Sequence, residues 1–272
     1  MPLPRLQLFE FNDHPRAPAV LRESIIETLS RTLAWGRILR GLVGPTLEFL
    51  EAAGTREVLD LGAGAGGPAS ILVSEMRARG LEPPRFLLTD LQPRVDSWQK
   101  LRDAEPGAID FVAEPVDATA IPPALAAGRA RTIINVFHHF PPALARAILA
   151  DAVFGSSGVL IAEGFERDPR QFLNFGPAGL PALLANPLLS PRDRLQKALY
   201  TWATPIALLC GTFDGLVSTM RVYSEAELRA MVAPLDPTWR WTYGTYTYPP
   251  RGRGYFFWGV PTAASKPGAH SR

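Results

Sequence analysis

The 272-residue chain holds a single cysteine, Cys210, which excludes an intrachain disulfide and a metal site of the CxxC type. Net charge is also small, because 28 basic residues against 26 acidic residues leave a formal charge of +2. A charge this low does not predict a nucleic-acid surface, so we expect no nucleic-acid partner. The most apolar stretch, residues 203–220, is interrupted by Pro205, Gly211, Asp214 and Gly215. Since a bilayer span needs about 20 clean apolar residues, we expect no stable membrane insertion.

The beginning of the chain, MPLPRLQLFEFND, lacks the basic start and the apolar segment of a secretion signal. We therefore expect a cytoplasmic protein. Hydrophobic residues make up 47% of the chain and charged residues 20%, which is the balance of a globular protein with a substantial core. Composition alone indicates no function.

Short apolar runs alternate with helical patterns from residue 57 to residue 163. Buried strands are predicted for EVLDLG, RFLLTD, IDFVAEPVD, RTIINVF and GVLIAE. Helices between them are predicted for ASILVSEMRARG, DSWQKLRDAE and PALARAILADAV. This alternation indicates βαβ units, and therefore an α/β fold with a parallel sheet covered on both faces.

Helical patterns also precede and interrupt this alternation. Residues 18–39 repeat apolar side chains every fourth position, and residues 45–53 form a second short helical pattern. From about residue 165 to residue 221 the alternation breaks, which predicts an insertion with its own helices. SEAELRAMV then predicts a helix with a capping box of Ser224 and Glu227, and WRWTYGTYTY and GYFFWGV predict a terminal antiparallel hairpin.

These patterns divide the chain into five segments. We predict an N-terminal helical cap (1–54), a ligand-binding α/β core (55–164), a helical lid insertion (165–222), a C-terminal helix and β-hairpin that complete the core sheet (223–262), and a disordered tail (263–272). The insertion is expected to cover the carboxyl ends of the strands, where α/β sheets hold their ligands.

The sequence EVLDLGAGAGGP carries the strongest chemical signal. A strand that runs into a glycine-rich turn and then a helix lets a ligand approach the backbone closely. Read with Gly62, Gly64 and Gly67, the loop fits the dinucleotide fingerprint GxGxxG. Read with Asp60, Gly62, Gly64 and Gly66, it fits DxGxGxG. The two patterns overlap, so the loop alone leaves both alternatives open.

The DxGxGxG pattern resembles motif I of class I S-adenosylmethionine (SAM)-dependent methyltransferases. The resemblance extends to RFLLTD, PVDAT, INVFHHFPP and the final aromatic strands, and it covers about residues 56–163. It implies a Rossmann-like three-layer sandwich with a mostly parallel seven-stranded sheet and a reversed last strand, N-terminal helices and a helical lid insertion. The implied cofactor is SAM. A carboxylate at Asp60 also suits a ligand with an ammonium and a sulfonium better than one with two phosphates.

The resemblance also implies which residues bind the cofactor. Asp90 matches the acidic residue that accepts hydrogen bonds from the ribose hydroxyls, and Asp117 the one that contacts the adenine amino group. The full implied set is Asp60, Gly62, Ala63, Gly64, Gly66, Asp90, Leu91, Asp117, Ala118 and Asn135. Taken alone, Asp90 would more often be a helix cap than a ribose ligand, and its spacing from the loop is what favours the ribose; Asp117 equally caps a turn.

His138 and His139 are the candidate catalytic residues, because an imidazole with a pKa of about 6.5 can take a proton from an acceptor near neutral pH. If the fourth strand continues through them, alternation directs only one into the site, and shared parity with Asn135 favours His139. Asp214 and Glu163 are the alternatives, and a purely structural role for both histidines stays open. Adjacent side chains do not easily converge on one ion, so no metal is expected.

We predict a methyltransferase that acts on a small, apolar or aromatic molecule. Aromatic residues of the insertion either line the substrate cavity or form the insertion's own core; these are Phe172, Phe175, Trp202 and Phe213. Asn135-Val136-Phe137-His138 stands where enzymes that methylate amino groups of bases have Asn-Pro-Pro-Tyr. The alternatives are a SAM-binding protein without methyl transfer, either a rearrangement catalyst or a scaffold, and an NAD(P)-dependent oxidoreductase. Whether the chain forms a homodimer is left open.

Overall fold

The computed structural model describes residues 4–12, 14–190 and 192–262. The predicted disordered tail lies outside the described residues. The strands are β1 (Glu57–Leu61), β2 (Arg85–Thr89), β3 (Ile109–Phe111), β4 (Ala130–Ile134), β5 (Val159–Glu163), β6 (Trp239–Tyr248) and β7 (Gly252–Pro261). The α-helices are α1 (Ala19–Trp35), α2 (Val43–Ala53), α3 (Gly67–Arg77), α4 (Val95–Ala104), α5 (Pro123–Ala126), α6 (Pro142–Gly155), α7 (Gly176–Leu189), α8 (Arg194–Ala198), α9 (Ile206–Arg221) and α10 (Glu225–Val232).

The seven strands form one sheet in the order β3-β2-β1-β4-β5-β7-β6. Strands β1 to β5 pair in parallel, whereas β7 pairs with β5 in the antiparallel sense, with Val159 opposite Gly259. A dinucleotide-binding sheet has the order 3-2-1-4-5-6 with parallel strands. The reversed strand between β5 and β6 therefore gives the Rossmann-like fold of class I SAM-dependent methyltransferases, which confirms the predicted fold class.

The central strands are buried along their whole length. Every residue of β4 and β5 is buried, as expected for parallel strands covered by helices on both faces. Polar residues interrupt this core at a few positions, which include Asp60, Thr132 and Glu163. Burying a polar side chain costs free energy unless that side chain is hydrogen-bonded, so each of these residues is expected to have a hydrogen-bond partner.

The chain divides into two compact units. Among the described residues, the sheet unit comprises 40–163, 224–246 and 255–262, and contains the glycine-rich loop and both adjacent histidines. The helical unit comprises the described residues within 4–39, 164–223 and 247–254.

The helical unit has its own core. Leu21 and Ile25 of α1 form a buried cluster with Leu183 of α7 and Ala207 of α9. Polar side chains beside it are paired: the buried Lys197 ammonium lies 3.0 Å from Glu27, and the Asn186 amide donates to Ser24 over 2.8 Å. Paired buried groups of this kind fix how helices pack, because separating them leaves an unsatisfied charge.

Three element ends differ from the sequence prediction. Helix α1 ends at Trp35 rather than residue 39, and the third strand ends at Phe111 instead of continuing through PVD. The fourth strand ends at Ile134, because Asn135 adopts a left-handed conformation with φ of 57° that a strand cannot contain. The predicted capping box of α10 is present: Ser224 and Glu227 exchange hydrogen bonds through side chain and backbone.

Within the described residues, no single helix is both long and apolar enough to span a membrane. The stretches Arg194–Ala203 and Ile206–Arg221, which meet at a bend of 81°, satisfy that requirement only as a pair, on length and composition alone.

Candidate cofactor and catalytic site

The glycine-rich loop connects β1 to α3 and contains three glycines in the left-handed region. Their φ angles are 66° for Gly62, 55° for Gly64 and 79° for Gly66, values that L side chains rarely adopt. The backbone conformation of the turn therefore explains why glycine occupies all three positions. Helix α3 begins directly after it, with Pro68 in its first turn.

The surroundings of the three glycines differ. A Cβ at Gly66 would lie 2.5 Å from Leu101 and 3.0 Å from Leu88, so any larger residue would have to displace these side chains. A Cβ at Gly62 would lie 3.3 Å from Val136. At Gly64 no atom lies within 4 Å of the added carbon. Gly64 thus faces open space, as expected where a ligand approaches the backbone.

Asp90 follows β2 and holds the loop. The backbone N–H of Gly64 donates to one carboxylate oxygen of Asp90 over 2.8 Å, and that of Gln92 donates to the other over 2.8 Å. The next residue, Leu91, is 63% exposed although it is a large apolar side chain. The structure therefore brings a carboxylate and an exposed leucine beside the open face of Gly64.

Trp98 of α4 makes a hydrogen bond to the glycine-rich loop, a contact that the sequence did not predict. Its indole N–H donates to the carbonyl of Gly64 over 2.9 Å, and the side chain is completely buried. The only sequence signal is a tryptophan within the amphipathic pattern of α4, and nothing in that pattern specifies a partner 34 residues away.

Asp60 lies inside the sheet rather than at its surface. The residue is 2% exposed, and its carboxylate accepts a 2.6 Å hydrogen bond from Thr132 of β4. Burial raises the pKa of Asp60 to about 7, a rise that the Thr132 bond opposes and the nearby Asp90 charge increases. Asp60 is therefore partly protonated near neutral pH.

Asp117 and Ala118 lie in the loop after β3. The backbone N–H of Val116 donates to the carbonyl of Asp90 over 2.9 Å, which places this loop beside the end of β2. The exposed Asp117 carboxylate accepts from the backbone N–H and the hydroxyl of Thr119, and these two bonds lower its pKa. Asp117 thus forms the turn that the sequence offered as the alternative; a contact with adenine stays a prediction.

Asn135 stands at the turn where β4 ends. Its backbone N–H donates to the carbonyl of Ala162 in β5 over 2.8 Å, which keeps the left-handed residue in line with the sheet. Non-glycine residues in this conformation are uncommon, and asparagine tolerates it best. Val136 follows it and lies against Gly62, so the end of β4 adjoins the glycine-rich loop.

A 3-10 turn from Phe137 to His139 follows, and it brings His138 onto Glu163 at the end of β5. The imidazole Nδ1 of His138 lies 2.9 Å from one carboxylate oxygen, and its backbone N–H donates to the other over 2.9 Å. Both side chains are buried, His138 at 4% exposure and Glu163 at 0%. Burial raises the pKa of Glu163 to about 8, while the backbone N–H of His138, the charge of His139 and the backbone N–H of Phe137 lower it in part.

The preference for His139 rested on strand alternation, and that argument fails because β4 ends at Ile134. His139 is half-buried, and its ring centroid lies 4.2 Å from that of His138. Of the alternatives, Glu163 joins His138, whereas Asp214 belongs to the helical unit. Asp214 is buried and accepts the backbone N–H groups of Phe11 and Asn12 over 2.7 Å and 2.9 Å.

The aromatic residues of the insertion pack with one another in the helical unit. Phe175 is buried and contacts Phe165, Phe172 and Tyr248, with ring centroids 5.8–6.1 Å apart. Phe213 contacts Phe9 and Phe11 at 5.2 Å and 5.6 Å. Trp202 is exposed, and its indole N–H donates to the carbonyl of Leu184 over 3.0 Å. Phe172 and Phe175 therefore belong to a small aromatic core of the insertion, as one of the two predicted alternatives stated.

Several solved structures are similar to this chain. The magnesium protoporphyrin IX methyltransferase from Synechocystis PCC 6803, determined with bound SAH, is 13% identical over 93% of this chain and 91% of that chain, with a TM-score of 0.46. An O-methyltransferase family protein from Burkholderia thailandensis is 16% identical over 88% of this chain and 62% of that chain, with a TM-score of 0.48. The plantazolicin methyltransferase in complex with SAH is 11% identical over 89% of this chain and 100% of that chain, with a TM-score of 0.49.

No protein-family model matches the sequence, and no curated protein is significantly similar to it. Function is therefore inferred from this chain's own residues.

Proposed function

We propose that this protein is a SAM-dependent methyltransferase that acts on a small, apolar or aromatic molecule. The observation that carries the proposal is the hydrogen bond between the Gly64 N–H and the Asp90 carboxylate at the open face of the glycine-rich loop. Together with Asp60, this bond places two carboxyl groups at the loop, which favours SAM over the dinucleotide that the loop sequence also allows.

A dinucleotide presents its pyrophosphate to the backbone N–H groups of such a loop. Here the Gly64 N–H is already bonded to an anion of the protein, and Asp60 adds a second carboxyl group close enough for the two charges to interact. A pyrophosphate at this place would meet like charge. SAM carries an ammonium group and a sulfonium, and carboxylates attract both cations.

Different residues of this site would bind the methionine, ribose and adenine parts of SAM. The loop from Gly62 to Gly66 would hold the methionine portion, and the half-buried Asp90 carboxylate would accept the ribose hydroxyls. The exposed Leu91, with Asp117 and Ala118 of the adjoining loop, would contact the adenine. The chemistry that bound SAM supplies is an electrophilic methyl group. Asn135, at the strained end of β4, would contact the cofactor or the substrate.

Methyl transfer to a hydroxyl or amine requires that the acceptor lose a proton. The end of β4 adjoins the glycine-rich loop through Val136 and Gly62, and the His138–Glu163 pair begins two residues later. Once Glu163 is ionised, its carboxylate accepts from Nδ1–H and leaves Nε2 of the imidazole as the basic atom. His138 would take the proton, and Glu163 would hold the imidazole in that tautomer.

A small acceptor is supported by the charge of the chain. A polyanionic acceptor would need basic side chains for its phosphates, and the net charge of +2 argues against one.

Mass spectrometry of the protein as purified, under native conditions, tests cofactor binding directly. We expect SAM or its demethylated product to stay bound, and added SAM but not NAD to raise the melting temperature. Stabilisation by NAD alone would overturn the proposal in favour of an oxidoreductase.

Incubation with labelled SAM and a panel of small hydroxyl and amine compounds then tests methyl transfer. Formation of the demethylated product together with a labelled acceptor is the expected result. Conversion of an acceptor without any demethylated product would instead identify a SAM-binding protein that does not transfer methyl.

A further inference from the structure

Helix α7 of the helical unit is apolar on every side except for the buried Asn186, which pairs with α1. Its inner face buries Ala182, Leu183 and Pro187, and α1 packs against it. Its outer face presents Leu180, Leu184 and Leu188, which recur at every fourth position and are each about half exposed or more. A helix that is hydrophobic all round is normally covered on all sides, by protein or by lipid. The outer face of α7 therefore requires an explanation.

The apolar surface continues beyond α7. The hydrogen bond from the indole of Trp202 to the carbonyl of Leu184 places a second exposed apolar side chain against the outer face of the helix. Ile206 and Leu209 of α9 follow it along the chain and are exposed as well. Of the 22 exposed large hydrophobic side chains in the described part of the chain, 12 lie between residues 173 and 216. Such a concentration exceeds the scattered apolar residues of an ordinary surface.

The chemistry of this surface favours a lipid medium over a protein partner. Residues 171–190 and 198–213 contain no charged side chain, and the exposed positions of α7 carry only glycine, proline and leucine. Protein interfaces of ordinary size contain about ten hydrogen bonds, many of them made by side chains. Hydrocarbon requires none from the residues that enter it, provided that the backbone is internally bonded, as it is in a helix.

The charges next to the surface fit a phospholipid headgroup layer. Arg192 and Arg194 are exposed in the segment that follows α7, and Arg170 is exposed before it. Asp193 and Asp168 offset two of these charges, so the border is weakly basic. Arginine beside an apolar face and tryptophan near its edge are typical of helices that lie in the membrane interface.

We propose that the outer face of α7, together with Trp202 and the beginning of α9, docks the protein on the surface of a lipid bilayer. The helices lie along the interface with their leucines in the acyl region and do not span the membrane. This inference rests on the helical unit alone, and it holds whether or not the protein transfers methyl groups.

Vesicle flotation tests the proposal with the full-length protein. We expect it to float with vesicles made of equal parts of phosphatidylcholine and phosphatidylglycerol. Leu188→Gln combined with Leu209→Gln removes two leucines that are 64% and 62% exposed, and should lower the partition coefficient about ten-fold or more. Leu144→Gln combined with Phe154→Gln is the matched control in α6, at 39% and 95% exposure, and should float like the parent. Equal flotation of the two variants, or no flotation of the parent, would overturn the proposal.

A second measurement does not depend on the leucine variants. Brominated phosphatidylcholine should quench a component of the tryptophan fluorescence that disappears in Trp202→Phe. Quenching that is the same in parent and variant contradicts docking through this surface. Sedimentation equilibrium without lipid should give the same mass for the parent and the leucine variant. A parent dimer that the leucine variant converts to a monomer, without vesicle binding, would assign the surface to a second copy of the chain.

Discussion

His138 contacts both carboxylate oxygens of Glu163: its backbone N–H donates to one, and its imidazole Nδ1 lies against the other. This arrangement fixes the position of the ring, since the 3-10 turn and the end of β5 are held together by the same carboxyl group. Because burial raises the pKa of Glu163 to about 8, the pair retains a proton at neutral pH and releases it only above that range. A base built this way acts more strongly as the pH rises.

Replacement of Glu163 tests this role. Glu163→Gln keeps the shape of the side chain, but its amide oxygen has to accept the backbone N–H of His138, so its NH2 group faces Nδ1 and donates to it. The imidazole proton then lies on Nε2, and His138 cannot act as the base. We expect single-turnover methyl transfer to fall by about 10²–10⁴-fold, and the increase of rate through a pH of about 8 to disappear. SAM affinity, measured by calorimetry, should change little.

Two histidine variants provide the comparison. His138→Ala should reduce the rate as much as Glu163→Gln does, and His139→Ala should reduce it less because Glu163 bonds to His138. Near-parental rates in both histidine variants across the pH range would show that neither imidazole is the base.

Substitution of two loop glycines should distinguish an effect on packing from an effect on ligand binding. Gly66→Ala places a carbon 2.5 Å from Leu101 in a left-handed conformation, so it should destabilise the protein by about 2 kcal/mol or more. Gly64→Ala meets no neighbour, so only the backbone strain of about 1 kcal/mol remains. Because its methyl group points into the open face, Gly64→Ala should weaken SAM binding strongly.

Thermal unfolding and calorimetric titration of the two glycine variants check this contrast. A Gly64→Ala protein with parental affinity for SAM would mean that the open face of the loop is not where the cofactor binds.

Asp60 should make stability depend on pH. Its pKa is raised from 3.8 in the unfolded chain to about 7 in the folded protein, so folding favours the protonated form. The stabilisation that results is fully present below pH 3.8 and is lost as the pH rises to about 7. Its size is on the order of 4 kcal/mol. Asp60→Asn should remove this component of the pH dependence and gain stability relative to the parent above pH 7.

Urea unfolding of both proteins at several pH values between about 5 and 8 measures the difference. Parallel stability curves for parent and Asp60→Asn would contradict a raised pKa at this position.

Local patterns predicted much of the fold and less of the site. The strand, glycine turn and helix of residues 57–77 could be predicted because hydrophobic period and glycine spacing act within a few residues. The end of β4 could not, since only the tertiary context forces Asn135 into a left-handed conformation within an apolar run. The partnership of His138 with Glu163 and that of Trp98 with Gly64 join residues 25 and 34 positions apart, and no spacing rule specifies such pairs.

Calorimetric titration of SAM into the parent protein and into Asp90→Ala tests the central claim most directly. Asp90→Ala removes the carboxylate that holds the Gly64 N–H and that we propose to bind the ribose, a loss of roughly 2–3 kcal/mol, or about 30- to 150-fold in affinity. Asp103→Ala, which removes an exposed carboxylate of α4, is the control and should bind SAM like the parent. The account predicts binding of SAM but not of NAD to the parent and the control, with the stated loss in Asp90→Ala. Unchanged SAM affinity in Asp90→Ala, or binding of NAD in place of SAM, would contradict it.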